Sequence, residues 1–144
     1  MKVSTRGRYG LRAMVELAKH KGSGAIPLRK IAEKQQISEQ YLEQLFSNLR
    51  QADLVKSVRG AKGGYLLNNS PENITVKDII SALEGPIAPV DCVKDEGEVC
   101  ELINECVTHD LWEELQDCIK DMLNSVTLED LKQKSIKRKS VKGD

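Results

Sequence analysis

Aromatic residues are scarce in this sequence, which contains one tryptophan, three tyrosines and one phenylalanine among 144 residues. Because 40% of the residues are nonetheless hydrophobic, a core can form, and it is expected to be mainly aliphatic. No apolar run approaches the roughly 20 residues that cross a bilayer. No charged start leads into an apolar stretch of the kind that forms a signal peptide. These absences exclude a membrane-spanning class and lead us to expect a soluble cytoplasmic protein with no membrane partner.

The chain also lacks a net charge, since 22 basic residues balance 22 acidic ones. The charges are segregated, however. Residues 1–65 contain 13 Lys or Arg and 5 Asp or Glu, whereas residues 66–131 contain 3 and 16, and the last 13 residues are basic again. This asymmetry favours a polyanionic partner, such as nucleic acid, for the basic part. The alternative is two solvated surfaces that differ in composition.

The spacing of apolar residues predicts a mainly α-helical chain with one small β-hairpin. A first helix is expected over residues 5–20, capped by Thr5, and a second helix begins near Pro27. Ser38 is a suitable N-cap for a third helix that ends near Gln51, because its hydroxyl can accept a free backbone N–H. Two short helices joined by a tight turn form a helix-turn-helix, here over residues 28–51.

A basic, glycine-rich turn follows the helix-turn-helix. Residues 54–58 and 65–67 are strand-like, and the intervening residues 59–64 include three glycines, which permit the positive φ angles of tight turns. A hairpin over residues 54–67 is typical of the wing of a winged helix. Arg59 and Lys62 at its tip would face a phosphate backbone or a minor groove. Residues 1–84 are therefore predicted to form a winged helix-turn-helix domain that binds double-stranded DNA.

The helix that begins after Ser38 is the candidate recognition helix. Gln40, Glu43 and Gln44 are expected to be exposed near its N-terminus. Glutamine can bond to the major-groove edge of adenine, and glutamate can accept from cytosine N4. Because a carboxylate also repels phosphates, Glu43 would reject some sequences as well as read others. The alternative is that the acidic residues of this helix are ordinary surface residues.

The second half of the sequence predicts a long amphipathic helix behind an irregular segment. A capping box at Thr75 begins a fourth helix that ends near Glu84. Residues 85–109 form an irregular loop, and residues 106–131 are expected to supply a dimerisation helix followed by a short last helix. A polar, flexible tail is expected over residues 132–144. The predicted seam of the dimer consists of Leu111, Leu115, Ile119 and Met122.

A homodimer of this kind would bind an operator with two half-sites about one helical turn apart. The alternative is that the long helix packs only against its own chain. Cys118 falls on the same apolar stripe of this helix and is expected to be a core or interface residue, because a free cysteine behaves as a small hydrophobic side chain.

Three further cysteines and a histidine lie in or beside the irregular loop. The spacing is Cys92-x7-Cys100-x5-Cys106-x2-His109. A reducing cytosol disfavours disulfides, whereas thiolates and an imidazole are ligands for zinc or for an iron–sulfur cluster. The spacing predicts such a site without distinguishing the two. Unconnected buried thiols beside a surface histidine are the alternative.

Three motifs together resemble the iron–sulfur cluster regulator (IscR) family of bacterial repressors. Its relatives include the nitric-oxide-sensing NsrR proteins and the cysteine-metabolism regulators of the CymR type. The motifs are the opening KVSTRGRYGL, the stretch SxxYLEQL from Ser38, and the wing VRGxxGGY from Val58. The resemblance extends to about Leu131 and implies a homodimeric winged helix with crossed long helices. By motif, the DNA contacts of the family fall on Ser38, Gln40, Tyr41, Glu43, Gln44 and Arg59.

The resemblance also implies that Cys92, Cys100, Cys106 and His109 bind an iron–sulfur cluster. The histidine favours a 2Fe–2S cluster, and 4Fe–4S is the alternative. The chain departs from the family in three places. The first cysteine gap is longer than in enterobacterial members, residues 83–90 resemble the CymR branch that usually lacks the cysteine set, and Arg8 stands near the position of an acidic ligand in NsrR-like proteins.

The leading hypothesis is a DNA-binding regulator controlled by an iron–sulfur cluster, with an IscR-like role at the genes of cluster assembly. Four alternatives stay open: an NsrR-like repressor, a CymR-like regulator without a cluster, a structural zinc loop, and a scaffold for a partner enzyme. No nucleophile–base pair, phosphate loop or paired carboxylates indicate that the chain is itself an enzyme.

Overall fold

The structure is a computed structural model and describes residues 2–93, 102 and 104–141. The described helices and strands follow the order α1 (Thr5–Lys19), α2 (Leu28–Gln35), α3 (Glu39–Gln51), β1 (Val55–Val58), β2 (Gly64–Leu67), α4 (Val76–Glu84), α5 (Val107–Asn124) and α6 (Leu128–Val141). Two 3₁₀ turns lie at Pro71–Asn73 and Asp91–Val93. The predicted fold class is confirmed. None of the described helices is long and apolar enough to cross a membrane.

Side-chain caps determine where several helices begin. Ser4, rather than the predicted Thr5, caps α1, because the Ser4 hydroxyl accepts a backbone N–H from the first turn. Ser38 caps α3 in the predicted way. Capping boxes begin α4 at Thr75 and α6 at Thr127, where each threonine exchanges two hydrogen bonds with the aspartate three residues later. These bonds satisfy N–H groups that the first turn of a helix leaves free.

The core lies where α1 packs against α2, α3, α4 and α6. Its fully buried side chains are aliphatic apart from one phenylalanine, as the shortage of aromatic residues predicts. The largest of them are Phe46, Met14, Ile31, Leu42, Leu45, Leu49, Ile74, Ile79 and Leu128. Because four of these residues belong to α3, the core fixes one face of this candidate recognition helix and leaves its opposite face to solvent.

The hairpin is held against the helix-turn-helix by a close backbone approach. β1 and β2 pair antiparallel, with Val58 opposite Gly64. Ile26, just before α2, exchanges two backbone hydrogen bonds with Tyr65. Gly64 has φ of 149°, and a Cβ atom there would lie 2.2 Å from the carbonyl oxygen of Ile26. A side chain at position 64 would therefore push the wing away from α2.

The C-terminal region differs from the predicted short helix and flexible tail, because α6 continues to Val141. Its first turn is anchored, since Leu128 is fully buried, Leu131 packs against the apolar cluster that includes Val76 and Ile80 of α4, and Lys132 pairs with Glu129 at 2.9 Å. The residues that follow are rich in lysine, and lysine, arginine and glutamine are good helix formers. They carry no apolar periodicity, which is why the pattern predicted a tail. Residues 142–144 lie outside the described part of the chain.

The apolar residues of α5 divide between two faces. Ile119 and Leu123 pack against α4, so Ile119 does not share the exposed stripe that the sequence predicted for it. Cys118 is exposed, and it is therefore not a core residue. The other face carries what we call the exposed stripe, which consists of Val107, Leu111, Leu115, Cys118 and Met122.

Candidate nucleic-acid interface and cysteine site

The predicted base-reading residues lie together on the solvent face of α3. Gln40, Glu43 and Gln44 are exposed, and they line an open surface groove of about 490 Å³ together with Ser47 and Asn48. Residues four positions apart share a face of a helix, so Ser47 and Asn48 extend the face that begins with Glu43 and Gln44. Sequence reasoning missed these two residues, although the spacing would have indicated them. The groove offers amide, hydroxyl and carboxylate groups of the kind that read base edges.

Ser38 and Tyr41 stand at the start of α3 and fix its position on α1. The Ser38 hydroxyl accepts the backbone N–H of Tyr41 at 3.1 Å. The Tyr41 hydroxyl lies 3.2 Å from Oγ1 of Thr5, and its ring meets that of Tyr9 edge-on, with centroids 6.1 Å apart. This contact brings the basic start of α1, including the exposed Arg6, beside the start of the recognition helix. Helix N-termini with nearby arginines favour phosphate binding, a pairing that sequence reasoning missed.

A polar network fixes α2 against α1. The Arg12 guanidinium donates to the backbone oxygen of Gln35 at 2.5 Å, and the Gln35 amide donates to Glu16 at 3.2 Å. The Glu16 carboxylate is buried and also contacts Lys19 and His20. Burial alone would raise the pKa of Glu16, but its bonds with Lys19, His20 and Gln35 outweigh burial, so the pKa is lowered. The network positions the turn between α2 and α3.

The tip of the wing presents its two basic residues to solvent. Arg59 and Lys62 are both exposed. The tip is a tight turn, in which the N–H of Gly63 donates to the carbonyl of Gly60 at 3.0 Å and Gly60 has φ of 108°. Positive φ at Gly60 is a conformation that most other residues disfavour. The turn therefore holds two cationic side chains at the tip of the hairpin.

Cys92 and His109 are in contact, although they lie on opposite sides of the irregular segment between α4 and α5. Cys92 lies in the 3₁₀ turn, His109 lies in the first turn of α5, and the His109 Nδ1 atom is 3.3 Å from Cys92 Sγ. Bond lengths of about 2.0 to 2.3 Å separate an N and an S ligand of one tetrahedral ion by about 3.5 Å. The His109 ring is buried, and its Nε2 atom lies 3.4 Å from a carboxylate oxygen of Glu113. A carboxylate on the second ring nitrogen is common for a metal-binding histidine.

Cys106 is the N-cap of α5, one turn before His109. Its Sγ atom lies 3.1 Å from the Thr108 hydroxyl. The pKa of Cys106 is lowered, because the Thr108 hydroxyl and then the backbone N–H of His109 donate hydrogen bonds to the sulfur. A lower pKa favours the thiolate, which is the form that binds metals.

The structure brings together two of the four predicted ligands. Cys100 lies outside the described residues. Among those described, no three Cys, His, Asp or Glu side chains form a group able to hold a metal ion, so Cys106 does not complete one with Cys92 and His109. The donor set still fits an iron–sulfur cluster or zinc, because it offers a thiol, an adjacent imidazole and a second thiol with lowered pKa.

Comparison with known proteins places the chain among transcription regulators. The profile of the Rrf2 family, described as an iron-dependent transcriptional regulator, matches residues 3–134. The chain is 52% identical over 131 residues to the regulator CymR of Bacillus subtilis, covering 91% of this chain and 89% of that protein. The solved structure of that CymR, described as a global cysteine regulator, superposes with a TM-score of 0.77 at 50% identity, covering 92% and 97% of the two chains.

Relatives of the IscR type are also similar. The regulator IscR of Pectobacterium carotovorum is 46% identical over 131 residues, covering 91% of this chain and 79% of that protein. The structure of IscR from T. potens has a TM-score of 0.74 at 45% identity and covers 94% of this chain and 88% of that one. The sequence relatives are transcription regulators, which confirms the expectation that the chain is not an enzyme.

Proposed function

Because the chain belongs to the Rrf2 family of transcription regulators, we propose that it binds operator DNA as a homodimer whose sequence recognition is controlled by an iron–sulfur cluster. Cys92, Cys100, Cys106 and His109 are the proposed ligands, as in the IscR-like hypothesis. The observation that carries this proposal is the 3.3 Å contact between the Cys92 thiol and the buried His109 imidazole. It joins two residues that lie 17 positions apart, at the two ends of an acidic segment.

DNA recognition is assigned to α3 and the wing. Gln40 and Gln44 can bond to base edges from the exposed face of α3, while Ser38 and Arg59 contact the backbone or minor groove. Glu43 lines the same groove as the two glutamines. Its carboxylate would accept from cytosine N4 and would disfavour sites that offer only acceptors, so it would set specificity more than affinity.

Dimerisation is assigned to the exposed stripe of α5. Its members are spaced by four, four, three and four residues, close to the 3.5-residue repeat of paired helices. Val107 is 83% exposed and Met122 60% exposed, which is unusual for large apolar side chains on a single chain. An apolar groove of about 400 Å³ between the start of α1 and α5 adds surface that a partner could cover.

The four proposed ligands would connect the segment after α4 to the start of α5. When bound, the cluster would supply a link that responds to oxidants, nitric oxide or iron supply. α4 packs against both α3 and α5, so a change in the position of Cys92 has a short route through α4 to the recognition helix. For this route to control binding, the two ligation states must differ in DNA affinity.

The test is anaerobic purification followed by visible absorption and by iron and sulfide analysis. The wild-type protein is expected to bind both elements. Cys92→Ser and His109→Ala are expected to lose most of them. Cys118→Ser is the matched control, because Cys118 is exposed on the stripe and is not a proposed ligand. A colourless wild-type protein that stays free of iron after reconstitution would overturn the cluster proposal, and bound zinc would indicate a structural loop instead.

A second candidate is a CymR-like regulator of cysteine metabolism that binds DNA without a cluster. The observation that favours it is the higher identity to CymR, 52% against 46% for IscR. Under this proposal the same preparation is free of iron and sulfide but still binds DNA specifically. DNA binding that requires the reconstituted, iron-containing protein would contradict it.

A further inference from the structure

A small cavity lies between α4, the segment at residues 86–93 and α5. Its volume is about 240 Å³. This is below the usual size of sites for drug-like molecules, yet several times the roughly 30 Å³ that one water occupies in the liquid. The cavity is formed by residues outside the α3 groove and the wing. The side chains that matter are Lys77, Ser81, Ile87, Val93, Gln116 and Lys120.

Gln116 lines this cavity and carries a buried hydrogen-bond acceptor that is unused. The residue is 7% exposed, and its side-chain oxygen Oε1 has no hydrogen-bond partner in the described part of the chain. Buried polar atoms in proteins are nearly always paired, because an unpaired one loses its bonds to water without replacement. An unpaired oxygen in a residue that lines a cavity therefore indicates a missing donor.

Two cations line the same cavity. Lys77 comes from α4 and Lys120 from α5, and neither pairs with a carboxylate among the described residues. Two ammonium groups at one small cavity favour an anion, which each can bind through a charge-assisted hydrogen bond. Ile87 and Val93 supply an apolar wall, which suits a short carbon chain better than an inorganic ion.

We propose that this cavity binds a small organic anion that also carries a hydrogen-bond donor, such as a hydroxy or amino carboxylic acid. Gln116 accepts from the donor, and Lys77 and Lys120 bind the anionic group. The ligand would join the segment that carries Cys92 to the helix that carries His109. Binding would thereby stabilise the contact between these two residues, whether or not a cluster is present.

The test uses iron-free, ¹⁵N-labelled protein in the absence of DNA, with three probes of similar size. Because it needs neither a cluster nor DNA, its failure is distinguishable from failure of the proposed function. 3-Hydroxybutyrate carries the anion and the donor, butyrate lacks the donor, and 1,3-butanediol lacks the anion. We expect 3-hydroxybutyrate, or L-serine, which carries a carboxylate together with hydroxyl and ammonium donors, to shift the Gln116 side-chain amide resonances and raise Tm. Butyrate and butanediol should each bind at least about tenfold more weakly, the ratio expected for one lost polar contact.

Variants separate the site from general surface binding. Gln116→Leu removes the acceptor at similar volume and should abolish the preference for 3-hydroxybutyrate over butyrate, while leaving the Tm of the free protein unchanged or higher. Lys120→Met removes one of the two cations and keeps most of the side-chain length, so it should weaken binding of both anions severalfold. Lys134→Met, which removes a charge from the exposed face of α6, is the control and should bind like wild type. No binding of 3-hydroxybutyrate or L-serine to wild type, or equal binding by Lys120→Met, would overturn the proposal.

Discussion

At the scale of single residues, Glu84 connects the end of α4 to the start of α1. Its Oε1 atom accepts the backbone N–H groups of Ser4 at 3.2 Å and Gly7 at 2.8 Å, and also the Ser4 hydroxyl. These donors lie at the N-terminus of α1, where a negative charge also interacts favourably with the helix dipole. A Cβ atom at Gly7 would lie 2.8 Å from the same oxygen, so glycine there leaves room for the carboxylate.

Replacing this carboxylate should destabilise the fold in a pH-dependent way. Burial alone would raise the pKa of Glu84, but the hydrogen bonds from Ser4 and Gly7 outweigh burial, so the pKa is lowered. A lowered pKa in the folded state contributes stability that is complete above the ordinary carboxyl pKa, about 4.3, and is lost as pH falls through the folded value. Glu84→Gln should therefore lower the free energy of unfolding by about 1–2 kcal/mol at neutral pH, which is less than the roughly 1.5–3 kcal/mol of a fully buried charged hydrogen bond because solvent screens this half-buried carboxylate.

Urea denaturation of wild type and Glu84→Gln across a pH series measures this effect. The difference between them should shrink as the pH falls below the ordinary carboxyl pKa, because wild type then loses the same contribution. Glu72→Gln, at an exposed acid before α4, is the control and should change little. Equal stability of Glu84→Gln and wild type at neutral pH would contradict the assigned role.

Residue roles were predictable where they depend on local spacing. The caps at Ser38, Thr75 and Thr127 follow from a hydroxyl placed before an apolar run, and each is present. The bonds of Glu84 to Ser4 and of Gln35 to Glu16 join residues 80 and 19 positions apart. No periodicity relates such pairs, so their partners become visible only when the helices have packed.

At the scale of elements, the wing is a short hairpin, and the two basic residues at its tip take no part in its strand pairing. Arg59 is exposed and belongs to the turn rather than to the β1–β2 pairing, so removing its side chain should leave the hairpin intact. Arg59→Ala should weaken DNA binding and reduce the slope of log K against log salt by about 0.9, the value for one lost phosphate contact. Fluorescence anisotropy at several salt concentrations measures both quantities.

The control for the wing is Lys134→Ala, which removes the same charge from the exposed face of α6. That variant should keep the wild-type salt slope. If Arg59→Ala keeps both the affinity and the slope, Arg59 does not contact DNA. A large loss of affinity with an unchanged slope would indicate a distorted wing instead.

Elements were predictable where hydrophobic periodicity was clear. The helix-turn-helix and the hairpin fall close to the predicted bounds, because their apolar residues recur with helix or strand spacing. α5 shows the limit of this reasoning. An 18-residue helix with apolar residues on two faces has the same composition whichever face meets its own chain. Only the packing of Ile119 and Leu123 on α4 separates the internal face from the exposed stripe.

At the scale of the whole molecule, the winged helix and α5 carry opposite net charge. The winged helix contains most of the basic residues, whereas α5 contains five acidic residues and one lysine. Two copies paired through α5 would therefore meet across an apolar stripe flanked by like charges. Added salt should screen this repulsion and strengthen the dimer, while it weakens DNA binding through the basic face. Opposite salt dependences of the two associations are thus expected from one charge distribution.

A carboxylate in the exposed stripe should separate dimerisation from folding. Leu115 is 40% exposed and lies at the middle of the stripe, so Leu115→Glu disturbs little within one chain but would bury a charge between two chains. We expect the dimer to weaken at least about 100-fold, which corresponds to about 2.7 kcal/mol. Gln133→Glu, which adds a charge to the exposed face of α6, is the control. Sedimentation equilibrium gives the dissociation constants, and thermal unfolding shows whether the single chain stays folded.

The same variant tests how dimerisation serves DNA recognition. Two linked recognition helices bind two half-sites with a high effective concentration, which a monomer cannot do. Folded Leu115→Glu should therefore bind a full operator little better than a half-site, whereas wild type and Gln133→Glu should prefer the full operator strongly. A Leu115→Glu protein that remains dimeric would place the interface elsewhere than the stripe. A monomer that retains full preference for the two-half-site operator would show that the two recognition helices need not be joined through α5 before they bind.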